Sequence, residues 1–204
     1  MKRPLKRAIP LVFICLIKTL AGGPNQNPQR VPCTISFDFE TAELYGWESY
    51  PYAQDIGWDP RLLCLEEPAH PGSRFSLARM MEPNDVMGTY LGFTRQIDLW
   101  TSKDSRWKSL IFLTADRRPP QLELSICLLD GRRYFKIVPF PEVNRWLELD
   151  LPLGDFAAGG RPLEAGLHIQ AVTIKAEYPT TNDFISYTMN LDDFSLTASV
   201  RDGS

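Results

Sequence analysis

The chain has 204 residues, 25 acidic against 22 basic, with 44% hydrophobic residues and a formal net charge of −3. That length suffices for one domain with a real core. The acidic balance works against binding a phosphate backbone. The short basic clusters Arg117-Arg118 and Arg132-Arg133 each flank a turn, so nucleic-acid binding is not expected.

Lys2, Arg3, Lys6 and Arg7 precede a mostly apolar run from Ala8 to Leu20, and Thr19 and Ala21 supply small residues beyond it. This is the layout of a secretory signal peptide over residues 1–21, and it predicts a secreted or periplasmic protein. The run is short for a membrane span, so none is expected after cleavage. The segment holds five basic residues and no acidic one, which leaves the mature chain at about −8. Residues 22–33, rich in Pro, Gly and Asn, read as a linker. The domain is expected over 34–198, with a tail over 199–204.

Inside the domain the hydrophobic period is two. Ile35, Phe37 and Phe39 alternate with polar residues, as do Leu122, Leu124, Ile126 and Leu128, and Leu147, Leu149 and Leu151. Leu110–Leu113 and Ala171–Ile174 are continuously apolar, which suits central strands covered on both faces. Asp130-Gly131 marks a hairpin turn. Residues 41–72 are irregular, aromatic and rich in proline. Short helices are conceivable only near Pro60–Glu66 and Leu153–Ala158. About nine short strands with Pro/Gly turns predict an all-β, antiparallel, two-sheet sandwich. Of the mature cysteines, Cys33 and Cys64 are the candidates for one bridge, the alternative being none. Cys127 reads as a buried thiol within a strand.

Three segments carry a family pattern. Phe37-Asp38-Phe39-Glu40 with Gly46-Trp47 resembles the opening strand of galactose-binding-like jelly-roll modules. Trp146-x-x-Leu149-x-Leu151-Pro152-Leu153-x-Asp155-Phe156 resembles their late strand and turn, and Leu191-Asp192-Asp193-Phe194-x-Leu196 their closing strand. With Gln54–Pro60 and Gly88–Arg95, the stretch 34–198 is similar to the N-terminal β-sandwich of some heparinase II/III-type polysaccharide lyases. The resemblance implies a carbohydrate-binding module and a lyase catalytic domain or downstream protein as partner. That domain's catalytic residues have no counterpart in this sequence.

The resemblance also implies a structural Ca2+ where the first and last strands meet. Glu40 and Asp192 are the leading ligand candidates, with Asp38 a second on the first strand. Asp192, on the face of Phe194 and Leu196, would be costly to bury without a cation or partner. For a polysaccharide, Trp58 and Tyr134 are the candidate stacking platforms, and Arg79, Arg133 and Lys136 the candidate contacts to acidic groups. His70 and His168 stand near no nucleophile motif, and no catalytic or nucleotide-binding fingerprint is present. The expectation is a non-catalytic, exported carbohydrate-binding module. The alternatives are a structural or protein-interaction sandwich and, third, a small carboxylate-based glycan-active enzyme.

Overall fold

The computed structural model describes residues 30–50, 62–65, 70–81, 90–115, 121–140, 142–177 and 187–201. Its strands are β1 (Arg30–Phe37), β2 (Trp47–Tyr50), β3 (Leu62–Leu65), β4 (Ser76–Met81), β5 (Tyr90–Trp100), β6 (Arg106–Ala115), β7 (Gln121–Leu128), β8 (Arg133–Val138), β9 (Leu147–Pro152), β10 (Ala157–Ala158), β11 (Arg161–Pro162), β12 (His168–Glu177) and β13 (Tyr187–Arg201). Among the described residues a single 3-10 turn is present, over Leu153–Asp155. The residues of the suggested first helix that are described, Leu62–Leu65, are strand instead, because they pair in register with Leu77 and its neighbours on β4. All pairings are antiparallel.

The strands form two layers. The larger runs β2-β5-β12-β7-β8-β10-β11; the smaller runs β9-β6-β13, with β4-β3 and β1 sharing the other edge of β13. One bridge, Ser199↔Trp100, stitches the layers together. The expected sandwich is therefore present, with first and last strands adjacent. β1 begins within the segment read as linker and β13 ends within the segment read as tail, because Arg30 and Arg201 pair with each other.

The alternation explains which face each strand buries. Leu122, Leu124, Ile126 and Leu128 on β7 and Val172 and Ile174 on β12 point between the layers, opposite Trp107, Ile111, Leu113, Met189, Leu191 and Leu196. Phe194 is the hub. Its ring meets Trp47 of the larger sheet edge-on at 5.0 Å and Trp107 of the smaller sheet edge-on at 5.1 Å, and it stacks on Phe37 at 6.2 Å. Such edge contacts set the quadrupoles favourably while burying large apolar area. The continuously apolar runs behave as central strands: Ala171–Ile174 is buried throughout, and on β6 Phe112 covers the outer face by packing on Trp146.

Two glycines answer to close approaches. A side chain at Gly92 would place its Cβ 2.0 Å from the Ile174 carbonyl oxygen. Gly46 has φ +73°, in the left-handed region, and a Cβ there would lie 2.4 Å from an Arg95 guanidinium nitrogen.

Of the two readings of Cys33 and Cys64, the structure has the unbridged one: Cys64 keeps a free thiol. Cys33 is level with Ala198 of β13, whereas Cys64 is level, through Leu77, with Leu191. Seven residues of strand put them about 20 Å apart, well beyond the reach of a disulfide. Cys127 is half-buried on the outward side of β7.

Phe194→Ala removes the hub of the aromatic cluster. It is expected to cost about 3–5 kcal/mol, seen in urea titration as a lower midpoint with an unchanged slope.

Candidate functional site

Two places concentrate polar chemistry. The first is the side of the larger sheet that faces away from the core. Register places its outward residues in rows: Glu48, Thr94, Thr173, Ser125 and Phe135; Tyr50, Gly92, Lys175, Glu123 and Ile137; Gln96, Ala171, Cys127 and Arg133. The centre of this face is small and polar. Thr94 donates its hydroxyl to the Val172 carbonyl at 3.1 Å and lies 3.1 Å from the Thr173 hydroxyl. Lys175 pairs with Glu123 at 3.2 Å. Thr94, Thr173 and Ser125 are buried although they point away from the core. At one margin Phe135 (44% exposed) and Ile137 (38%) present a continuous apolar strip. The open ring of Phe135 can stack on the apolar face of a sugar ring, and the part-exposed Lys175–Glu123 pair is the polar chemistry on this face that a sugar hydroxyl can reach.

The second place is a break in β13. β4 pairs with residues 187–191 of that strand and β1 with residues 194–201, leaving Asp192 and Asp193 between the two partners. The ladder to β6 slips there, and Asp193 takes φ +44°. The bulge resets the alternation, so Leu191 and Phe194, three residues apart, both reach the core. Asp192 therefore does not follow the simple face-sharing expected with Phe194 and Leu196. It is nevertheless fully buried, at 0% exposure. Its Oδ1 accepts the Asp193 N–H at 2.9 Å, and its Oδ2 is buried without a hydrogen-bond partner. Glu40 lies close enough to repel it, and Glu40 itself accepts the Arg74 N–H at 2.7 Å. Burial pushes the Asp192 carboxyl up to about 6; the Ser73 side chain and the Asp193 N–H oppose that rise, while Asp193 and Glu40 add to it. A buried carboxylate oxygen without a hydrogen-bond partner, within electrostatic range of a second carboxylate, is costly to keep charged.

The structure brings Glu40 and Asp192 together and leaves Asp38 out. Asp38 turns to accept the N–H of Glu40 at 3.3 Å and closes the turn after β1. Among the described residues no three of His, Cys, Asp and Glu gather at one point.

The saccharide candidates scatter. Trp58 lies outside the described residues. Tyr134 is 6% exposed and points into the core opposite Ile126, so it is no platform; its neighbour Phe135 faces outward instead. Both residues are aromatic, and only the pairing of β8 decides which faces out. Arg79 is 1% exposed. It reaches from β4 across the interior and donates to the carbonyls of Tyr50 and Gly92, the latter at 3.2 Å, and so ties the two layers instead of meeting solvent. Arg133 is exposed on the outward face. Lys136, three residues on, points to the other side and pairs with Asp155 at 3.4 Å.

Three solved structures share this architecture. An exo-β-agarase matches with a TM-score of 0.55 at 12% identity, over 82% of this chain and 26% of its own length, so the chain spans about a quarter of that enzyme. The CBM22-1 xylan-binding domain of Paenibacillus barcinonensis Xyn10C matches with a TM-score of 0.50 at 16% identity, over 83% of this chain and 95% of that domain. A family 11 carbohydrate-binding module of Clostridium thermocellum, solved with a β-1,3-1,4-mixed-linked tetrasaccharide, matches with a TM-score of 0.50 at 12% identity, over 80% of this chain and 94% of that module. The fold is thus the β-sandwich seen in carbohydrate-binding modules. No protein-family model matches the sequence, and no curated protein matches it significantly.

A carboxyl with a raised native value binds its proton more tightly in the folded state. In the metal-free protein Asp192 therefore favours folding below about pH 4 and loses that contribution as pH rises through 6, on the order of 2–3 kcal/mol. Chelated protein is expected to show this fall in stability in denaturant titrations from pH 4 to 7, and Asp192→Asn to flatten it.

Proposed function

We propose that this protein is a non-catalytic carbohydrate-binding module that takes its glycan on the outward face of the larger sheet. The observation that carries the reading is the Phe135–Ile137 strip, open to solvent on the face that also carries the part-exposed Lys175–Glu123 pair. A soluble sandwich gains nothing in stability from an aromatic ring left open to water, whereas a sugar ring stacked on it removes that surface. The fold shared with a xylan-binding domain and with a module solved with a glucan tetrasaccharide supports the same reading. Arg133, at the end of this face, suits an acidic glycan. The N-terminal segment supports export. The sequence resemblance supports a polysaccharide lyase as catalytic companion on the same or a neighbouring chain.

Affinity electrophoresis against a panel of neutral and acidic polysaccharides tests this. Retention without cleavage is expected, with Phe135→Ala weakening it roughly tenfold or more, the loss of about 1.4 kcal/mol, while Tyr134→Ala mainly destabilises the fold. For an acidic glycan, retention falls with salt as Arg133 is screened. Failure to retain any glycan, with Phe135 and Ile137 instead protected by a protein partner, supports the interaction-domain alternative.

The bulge in β13 is the proposed seat of a structural Ca2+, held by Asp192 and Glu40 with carbonyl and water oxygens completing the shell. The ion supplies the positive charge that the buried Asp192 carboxylate lacks. Calcium at a hundredfold excess over its Kd is expected to raise Tm by roughly 5–10 °C. Asp192→Ala and Glu40→Ala each abolish that gain, and an unchanged melting curve after chelation rules the site out.

A further inference from the structure

A pocket lies at the end of the sandwich where the first and last strands pair. It is open, has a volume of about 310 Å3, and is lined by Asp98, Trp100, Leu129, His168, Val200 and Arg201. β5 and β12 bring Trp100 and His168 side by side, and their rings stack at 4.4 Å with planes 5° apart. Cross-strand partners Arg30 and Arg201 place their guanidiniums over the Trp100 ring at 4.2 and 4.7 Å. His168 hydrogen-bonds Asp98 through Nε2. Along β5, Trp100 is six residues from Thr94, which puts this pocket about 20 Å from the Phe135 row.

We propose that this pocket is a separate binding site for a carboxylate-bearing sugar unit, a uronate. Four features of the wall select it. Arg201, backed by Arg30, gives positive charge within an acidic protein and the planar fork that matches a carboxylate. Leu129, 60% exposed, and Val200 provide an apolar flank for ring C–H groups. Asp98, the one acid among the six lining residues, only accepts hydrogen bonds; it disfavours a bare anion and favours one that carries hydroxyls beside its charge. The volume stands at the lower end of small-ligand sites, roughly 300–1,000 Å3, which fits a single ring in place of a chain. Trp100 acts here as a rigid wall that positions His168 and the arginines.

The test uses nuclear magnetic resonance titration of the whole protein with glucuronate, glucose and acetate. Glucuronate is expected to shift the Trp100 indole and the Leu129 and His168 signals, while glucose and acetate leave them in place. Arg201→Gln is expected to weaken glucuronate at least roughly tenfold, the loss of one charge-assisted hydrogen bond. Leu129→Asp, on an exposed turn, does the same by repulsion and serves if Arg201→Gln unfolds. Phe135→Ala leaves these shifts unchanged, so failure here and failure of the outward-face reading are read separately. Equal response to glucose, equal response to acetate, or no response to glucuronate each overturns the assignment.

Discussion

Everything in this sandwich leans on the last strand. β13 pairs with β1 and β4 on one edge and β6 on the other, and it touches β5 through the single bridge between layers. One strand cannot serve two partners in line without a joint between them, and the bulge at Asp192–Asp193 is that joint. It turns Phe194 inward, where it holds the aromatic cluster from both layers, and it sinks a carboxylate where the chain leaves β1 for β2. The core and the candidate cation site are thus two results of one backbone irregularity.

Much of this was legible in the sequence because period-two alternation is a local property. Leu122 to Leu128, Leu147 to Leu151 and the apolar block at Ala171–Ile174 announced their strands and their burial. The Asp-Asp-Phe motif in the closing strand marks Asp192, which lies buried at the bulge within electrostatic range of Glu40. What local pattern could not carry was relative register. Tyr134 and Phe135 are both aromatic, and the choice between core and surface depends on how β8 aligns with β7. Arg79 reads as a surface cation because charge usually stays in water; here carbonyls of two strands in the opposite layer accept from its buried guanidinium. The choice between a Cys33–Cys64 bridge and none is of the same kind, since only the pairing of β1 and β4 with β13 shows how far apart along it the two residues lie. The terminal pocket was missed altogether. Its residues come from four distant stretches, and only the pairing of Arg30 with Arg201 and of Trp100 with His168 gathers them.

The division of labour between faces follows from size. Large side chains fill the space between layers, and the outward side of the central strands mixes small residues such as Gly92, Ala171 and Ser125 with polar ones such as Gln96, Lys175 and Glu123. Gly92 shows how tight this is, because β12 approaches so closely that no side chain fits there.

The antiparallel pairing of β1 with β13 has a mechanical corollary. Residues 30 and 201 stand side by side at one end of the ladder. A tensile load applied through these two residues acts across the ladder and not along it, so its rungs are strained in succession, from Arg30 toward Phe37. Peeling of this kind yields at low force, whereas strands pulled past each other resist with all their rungs at once. Tethered by its two ends, the domain opens first at its terminal pocket, and the aromatic hub around Phe194 is the last part of that seam to feel the load.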